Sequence, residues 1–348
     1  MCKEGFKINI LTKKQRIDAF ALLGSYLLSD SQELHDAVES AGYYNAWFTL
    51  PNVYKALKNT ALNLSAPQLG KWLDPYPFDG ETDQTVGLVL AGNIPLVGFH
   101  DILCVLCAGF NVQLKPSTAD LKLTTHVLDK LQEIEPRLAN KITITDRLAG
   151  FDLVIATGSD NTARYFTYYF GKKPHIIRKN RNSVAILTGK ETPDALVQLG
   201  SDIFDYFGLG CRSVSKLFVP KGYDISAFYA GIAPFADIAD HYKYTNNYDY
   251  NKSIYLINGD PHYDNGFLLV KPDERTASPL ATLYMEEYDN EDMLSAKLAA
   301  TASQLQCVVS LEPLESPVPS VRFGQSQQPA LDDYADGVNT LDFLAEHR

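Results

Sequence analysis

Residues 85–115 read TVGLVLAGNIPLVGFHDILCVLCAGFNVQLK, and the alternation within this stretch determines the fold class. Two short, continuous apolar runs, at 86–91 and 111–114, flank a helix-like segment at 95–108. Strands that alternate with helices in this way predict parallel βαβ units. The same alternation continues along the chain, with strand-like runs at 142–145, 153–157 and 184–187 and helix-like segments at 119–135 and 161–170. The sequence therefore predicts an α/β fold with a doubly wound sheet, in which ligands bind beyond the carboxyl ends of the strands.

The length and composition are those of a soluble globular protein with more than one core. A chain of 348 residues exceeds the usual size of a single core, so two domains are expected. Residues 12 to about 75 are predicted to be helical, with Thr12 as the first N-cap. No apolar stretch is long enough for a membrane span, and five sparse cysteines favour a reducing compartment. We expect a cytoplasmic protein without a signal peptide or a membrane anchor.

The charge distribution bears on the class of ligand. A net charge of −11 argues against general nucleic-acid binding, because phosphate contacts need clustered lysine and arginine. One local exception lies within residues 172–181, a basic stretch made of Lys172, Lys173, His175, Arg178, Lys179 and Arg181. It is either a solvated loop or a site for a phosphate-bearing ligand.

A glycine-rich turn carries the most reactive side chain of the sequence. Cys211 lies in the run Phe207-Gly208-Leu209-Gly210-Cys211-Arg212-Ser213, between a helix-like segment at 192–206 and a strand-like one at 214–219. The glycines allow close approach of a substrate carbonyl, and the Arg212 cation would favour the thiolate. A lone cysteine is also commonly a small buried hydrophobe, and the turn alone leaves both interpretations open.

Three predicted strand ends offer polar groups. Asn93 follows the strand at 86–91, Lys115 directly follows the run at 111–114, and Gly158-Ser159 opens a helix whose N–H groups can bind an anion. The G-x-G-x-x-G dinucleotide fingerprint does not occur. Each turn taken alone is equally well explained as a helix cap or a surface charge.

In this order the motifs resemble the aldehyde dehydrogenase superfamily, and more closely its acyl-CoA reductase branch, the LuxC-like fatty acyl-CoA reductases. The resemblance rests on Asn45 to Thr49, Gly92 to Pro95, Lys115 to Ser117, Gly158-Ser159, Phe207 to Arg212, Phe323 to Gln325 and Asp333 to Val338. It implies N-terminal helices with a Rossmann-like cofactor domain at 1–187, a catalytic cysteine domain at 188–315, and a C-terminal segment at 316–348 that returns to the first domain.

The resemblance also implies roles for single residues. Cys211 would be the nucleophile and Asn93 the side-chain donor of the oxyanion hole. Lys115 and Ser117 would meet the adenosine end of the cofactor, and Gly158-Ser159 its pyrophosphate. Thr118 stands where NAD-preferring relatives have a glutamate that repels a 2′-phosphate, so NADPH is the expected cofactor, with NADH as the alternative.

Departures from the superfamily decide the direction of the reaction. Oxidising members have a glutamate that activates the hydrolytic water, and here the corresponding residue is Arg178. Arginine cannot accept that proton, so oxidation to a free acid is disfavoured. The stretch at 274–279 matches the ribose-binding motif only weakly, and no ribose role is assigned to Glu274. Cys104 and Cys107 form a CxxC in an apolar helix and are expected to be core residues, with no metal site.

These features predict reduction of an acyl-CoA to an aldehyde through an acyl-enzyme on Cys211. The alternatives are an acyltransferase or thioesterase that uses the same thiol without redox chemistry, and a non-catalytic acyl-binding subunit. The resemblance allows a homo-oligomer or a complex with a protein that supplies the acyl group.

Overall fold

The computed structural model of the protein describes residues 10–348. The chain forms two compact units. The first unit extends to Lys179 and also contains residues 330–334 and 338–348; the second comprises Asn180–Pro329 and residues 335–337. The first division therefore falls before the predicted boundary at 187, because the strand Asn182–Ile186 pairs within the sheet of the second unit. The last residues of the chain belong to the first unit.

The first unit begins with four helices. Thr12 is the N-cap of the first, as predicted: its hydroxyl accepts from the Gln15 backbone N–H, and the Gln15 side chain accepts from the Thr12 N–H. This reciprocal pair satisfies two donors that a helix start leaves without partners. The inward-facing side chains Phe20 and Leu23 join the core of the unit. The helices are α1 (Lys13–Leu27), α2 (Gln32–Tyr44), α3 (Leu50–Leu62) and α4 (Ala66–Leu73).

The sheet of the first unit has the predicted parallel, doubly wound character. Within the described chain its strand order is β3-β2-β1-β4-β5, with every pairing parallel. The strands are β1 (Thr85–Val89), β2 (Asn111–Lys115), β3 (Ile142–Ile144), β4 (Leu153–Thr157) and β5 (His175–Arg178). The helices are α5 (Phe99–Cys107), α6 (Leu121–Ile134), α7 (Asp160–Phe170) and α12 (Thr340–Glu346), and a 3₁₀ helix spans Pro136–Asn140.

Two features of this unit differ from the sequence prediction. The sequence pattern does not predict strand β5, because its two apolar residues are flanked by the basic residues of the 172–181 stretch. Helix α5 begins at Phe99 rather than at 95, because the preceding turn places Leu96 at a φ of 57°, outside the helical region.

Helix α5 passes through the core, which explains its cysteines. Cys104 and Cys107 are both 0% exposed among aliphatic neighbours. Burial raises the pKa of Cys104 well above its usual value and that of Cys107 to about 12. Both thiols are therefore core residues, as predicted, and poor nucleophiles.

The second unit holds a larger sheet with the order β12-β11-β6-β7-β10-β9-β8 within the described chain, parallel except for the β8–β9 pair. Alternate residues of β6 enter two different apolar clusters, Ala185 one and Val184 the other, so both faces of this strand are covered. The strands are β6 (Asn182–Ile186), β7 (Val214–Pro220), β8 (Tyr263–Asp264), β9 (Leu269–Pro272), β10 (Thr282–Tyr288), β11 (Leu305–Ser310) and β12 (Ser320–Arg322). The helices are α8 (Pro193–Phe204), α9 (Ile225–Ile232), α10 (Tyr242–Asn258) and α11 (Glu291–Thr301), and 3₁₀ helices span Asp205–Gly208, Ala233–Asp240, Ala302–Gln304 and Ala335–Gly337.

Among the helices of residues 10–348, none has both the length and the apolar character that a membrane crossing requires.

Candidate active site

The turn that carries Cys211 connects α8 to β7 through a strained segment. Tyr206, Phe207 and Gly208 have φ values of 54°, 59° and 76°, in the left-handed region. Residues other than glycine rarely adopt this conformation. It costs of the order of 1–3 kcal/mol per non-glycine residue and persists only where the surrounding structure enforces it. Here both aromatic side chains are buried, and the Phe207 ring lies 4.2 Å from that of His241. Aromatic packing therefore holds the backbone that leads to the thiol.

The Cys211 side chain is accessible in a way that the other described cysteines are not. It is half-buried, whereas Cys104, Cys107 and Cys307 are each 0% exposed. Arg212, the predicted neighbouring cation, is itself buried at 8% exposure. Among the described cysteines, Cys211 is therefore the one that a substrate in solution can reach.

Several hydrogen bonds hold the backbone on both sides of this thiol. The Ser213 N–H donates to the Gly210 carbonyl at 3.0 Å, and the Gly210 N–H donates to the Ser213 hydroxyl at 3.2 Å. The Gln327 amide donates to the same hydroxyl at 3.3 Å. From the neighbouring strand β6, the Ser183 hydroxyl donates to the Cys211 carbonyl at 3.0 Å. The turn is thus closed on itself and tied to the sheet.

A small cavity of the second unit borders the same turn. Its volume is about 50 Å³, and it is partly open to solvent. Its walls include Ile203, Phe207, Gly210, Tyr244 and Leu283.

In the first unit, the predicted strand-end residues come together at one edge of the sheet. Val89 is paired with Lys115 on one side and with Ala156 on the other, so β1, β2 and β4 end at the same level. A Cβ added to Gly92 would lie 2.5 Å from the Cβ of Ser117, so the turns after β1 and β2 are packed directly against each other. Glycine is required at this close approach.

The polar side chains at this edge face solvent. Asn93, Lys115, Thr118 and Ser159 are exposed, and Ser117 is half-buried. The side chains of Asn93, Lys115 and Thr118 are therefore accessible to a ligand at the carboxyl ends of the strands, as the fold class predicts.

Gly158-Ser159 forms the start of helix α7. The Ser159 hydroxyl accepts from the Thr162 N–H at 3.3 Å as the N-cap. A Cβ added to Gly158 would lie 2.9 Å from the Phe166 ring and 3.0 Å from Thr162, which leaves no room for a side chain. Glycine is therefore required by the packing of this turn against its own helix, and the first N–H groups of the eleven-residue helix favour an anion.

Asp120 is a buried carboxyl beneath these turns that the sequence did not single out. It is 3% exposed, and its Oδ2 accepts from the Leu96 N–H at 3.0 Å and from the Thr124 hydroxyl at 2.9 Å. Burial raises its pKa to about 7, against the opposing effect of these two hydrogen bonds. The residue fixes the loop that contains Asn93. Its position at the start of a predicted helix was the available signal, and that signal suggests only a cap.

Arg178 is an internal residue at the end of β5. Its guanidinium forms an ion pair with Asp101 of α5 and donates to the Thr340 hydroxyl at 2.9 Å, and it is 5% exposed. Burying a guanidinium requires such partners. Arg178 therefore cannot act as a base and is held in place by two other elements of its own unit.

The basic stretch contains both exposed and buried cations. Lys172, Lys173 and Lys179 are exposed, but Arg178 is buried in the first unit. Arg181 belongs to the second unit, where it pairs with Asp336 at 3.2 Å and donates to the Leu305 carbonyl. The two alternatives therefore stay predictions for the exposed residues Lys172, Lys173, His175 and Lys179.

No group of three or more histidine, cysteine, aspartate or glutamate side chains is placed to hold a metal ion within residues 10–348.

Comparison with known proteins rests on structure. No protein-family model matches the sequence, and no curated protein matches it. Among solved structures, aldehyde dehydrogenase 21 from Physcomitrella patens, in complex with the reaction product succinate, superposes with a TM-score of 0.70 at 12% identity, covering 97% of this chain and 84% of that one. An NADP dependent enzyme from E. coli gives 0.66 at 13% identity over 86% and 73% of the two chains, and an NAD-dependent aldehyde dehydrogenase from Sinorhizobium meliloti gives 0.64 at 11% over 86% and 70%. The fold is that of an aldehyde dehydrogenase.

The aldehyde dehydrogenase fold confirms the predicted α/β class with its Rossmann-like and catalytic parts. Identities below 15% in these three matches establish the fold alone, so the acyl-CoA reductase branch stays a prediction. Cys211 belongs to the second unit and Asn93 to the first, and each lies where its own unit leaves it accessible. Their cooperation as nucleophile and oxyanion donor, like the cofactor roles of Lys115, Ser117, Thr118, Gly158 and Ser159, stays a prediction.

Proposed function

We propose that this protein reduces an acyl-CoA thioester to the aldehyde, with NADPH or NADH as reductant, through an acyl-enzyme on Cys211. The observation that carries the proposal is the combination of an accessible cysteine with an arginine at the position of the hydrolytic base. Cys211 is the accessible thiol of the described chain, while the residue that the resemblance aligns with the hydrolytic glutamate is Arg178, ion-paired with Asp101. Such a site can form a thioester, and the arginine at the aligned position cannot activate a water to hydrolyse it.

The reaction balances without a water-activating base. The Cys211 thiolate attacks the thioester carbonyl, a C–S bond to the enzyme forms, and CoA leaves as its thiolate. The Asn93 amide and the Cys211 backbone N–H stabilise the oxyanion. A bound nicotinamide supplies the hydride that reduces the enzyme thioester. The resulting thiohemiacetal is formed as its alkoxide, whose C–S bond breaks to give the aldehyde and regenerate the Cys211 thiolate.

The groups at the strand ends of the first unit fit a dinucleotide. The Gly158-Ser159 turn offers N–H groups and a backbone without a side chain for a pyrophosphate. Lys115 and Thr118 are exposed after β2, which β1 separates from β4, and there an ammonium group and a hydroxyl suit a ribose or its 2′-phosphate. Ser117, packed against Gly92, fixes the turn that carries them.

The direct test of the proposal is the acyl-enzyme. Wild type incubated with acyl-CoA in the absence of cofactor should gain the mass of one acyl group on Cys211, and Cys211→Ala should gain none. Cys107→Ala is the control, since it removes a buried thiol of the first unit and should leave the labelling intact. A label that persists in Cys211→Ala, or that maps to Cys104 or Cys107, would refute the assignment.

The redox step needs a second measurement. NADPH oxidation with acyl-CoAs of graded length should yield aldehyde and free CoA in equal amounts. Acylation of Cys211 followed by hydrolysis, without NADPH or NADH oxidation, would replace reduction by the thioesterase alternative. Transfer of the acyl group to an added thiol or amine would instead indicate an acyltransferase.

A further inference from the structure

Ser183 connects the turn of Cys211 to a second, buried cysteine. It lies on β6, is 0% exposed, and donates its hydroxyl proton to the Cys211 carbonyl at 3.0 Å. The same hydroxyl oxygen lies 3.1 Å from the Cys307 sulfur on β11. Because a serine hydroxyl has one proton and the carbonyl can only accept, the Cys307 thiol must be the donor in the second contact. The order is Cys307 thiol to Ser183 hydroxyl to Cys211 carbonyl.

The position of Ser183 makes it a rigid anchor. Strand β6 lies between β7 and β11 in the sheet of the second unit, and Ser183 is paired with Val214, three residues beyond Cys211. The turn itself approaches through the left-handed residues Tyr206 and Phe207, which favour a different backbone. A hydrogen bond from a central strand restrains the residue that follows this strained segment.

We infer that Ser183 is a positioning residue for the Cys211 nucleophile, with the Cys307 thiol orienting the Ser183 hydroxyl. The inference rests on the proposed role of Cys211 and extends it to two buried residues that touch no substrate. Ser183 holds the carbonyl, and therefore the peptide plane, of Cys211. A displacement of about 1 Å at a reacting centre can lower its rate by about 100-fold.

The test compares two serines of neighbouring strands. Ser183→Ala removes the hydroxyl that reaches Cys211. Ser215→Ala on β7 removes a hydroxyl that donates to the Thr276 carbonyl at 2.7 Å and lies 3.3 Å from the Ser183 carbonyl oxygen, and is the matched control. Alkylation of Cys211 by iodoacetamide, quantified by peptide mapping between pH 6 and pH 9, reads the thiol without any substrate.

We expect Ser183→Ala to lower the alkylation rate constant of Cys211 about 3- to 10-fold, and kcat for acyl-CoA reduction about 10- to 100-fold, with KM and the unfolding midpoint close to those of Ser215→Ala. Ser215→Ala should change both rates less than threefold. Cys307→Ser, which keeps a donor beside Ser183, should retain more activity than Cys307→Ala.

Two results would overturn the inference. One is an unchanged alkylation rate in Ser183→Ala; the other is an equal loss in Ser183→Ala and Ser215→Ala, which would indicate a general effect on the sheet. A failure of the proposed function can be distinguished from a failure of this inference. A wild-type protein that forms no aldehyde from any acyl-CoA would still report, through alkylation, whether Ser183 positions Cys211.

Discussion

Replacing Asp120 by asparagine should make the stability of the protein less dependent on pH. The carboxyl is 3% exposed, and both of its hydrogen bonds, from Leu96 and Thr124, go to Oδ2. Its Oδ1 is buried without a hydrogen-bond partner in the described part of the chain. Burial of this incompletely solvated carboxylate raises the pKa from 3.8 to about 7. The native state therefore binds the proton more tightly than the unfolded chain does.

The sign of the effect follows from this difference. A raised folded-state pKa contributes stability that is fully present below pH 4 and is lost as the pH rises through about 7. A difference of roughly three between the two pKa values corresponds to about 4 kcal/mol, of which about 2.5 kcal/mol falls between pH 5 and pH 8. The Asp120→Asn variant would avoid this loss but would bury an amide N–H₂ in place of Oδ1, at a cost of about 1–3 kcal/mol.

The assay is urea unfolding at pH 5, 6, 7 and 8. Wild type should lose about 2.5 kcal/mol more than Asp120→Asn across this range, so that the variant is the more stable protein at pH 8. Asp129→Asn, an exposed change on the same helix, removes no buried charge and is the control. Parallel curves for wild type and Asp120→Asn would show that the carboxyl is not protonated in the native state near neutral pH, and would refute the reasoning.

Three further predictions concern the site. Asn93→Ala should lower kcat by about 100- to 1,000-fold without weakening cofactor binding, and near-normal turnover would reduce Asn93 to a turn residue. Thr118→Glu should shift the ratio of kcat/KM values towards NADH, mainly by weakening NADPH, since a carboxylate repels a 2′-phosphate; an unchanged ratio would show that Thr118 does not contact the ribose. Arg178→Met should lower the free energy of unfolding by about 3–5 kcal/mol, because it leaves the buried Asp101 carboxylate without its ionic partner, and a urea midpoint equal to that of wild type would contradict this.

The sequence predicts the fold because parallel strands, covered on both faces, consist of short apolar runs. Four of the five strands in the first sheet follow from these runs, and β5 escapes because charged residues adjoin its Ile176 and Ile177. The strand ends then place Asn93 and Lys115 at one edge of the sheet. The sequence does not show which side chains far apart along the chain form ion pairs. Arg178 and its partner Asp101 are 77 residues apart, and no local pattern connects them.

The site is predictable only where chemistry shows in the local sequence, as at Cys211, and the structure adds what a pattern cannot. Tyr206 and Phe207 carry no sequence signal for a left-handed backbone, because bulky side chains normally avoid it. Glycine at either position would adopt this backbone at a lower conformational free energy, so a loop that only connects two elements would not explain the strain. A cysteine that only packs in the core would not explain it either. A nucleophilic role for the half-buried Cys211, whose backbone carbonyl accepts from Ser183, would explain it, because the strained backbone then fixes the position of the thiol. The cost of the turn therefore favours the nucleophile over the packing residue.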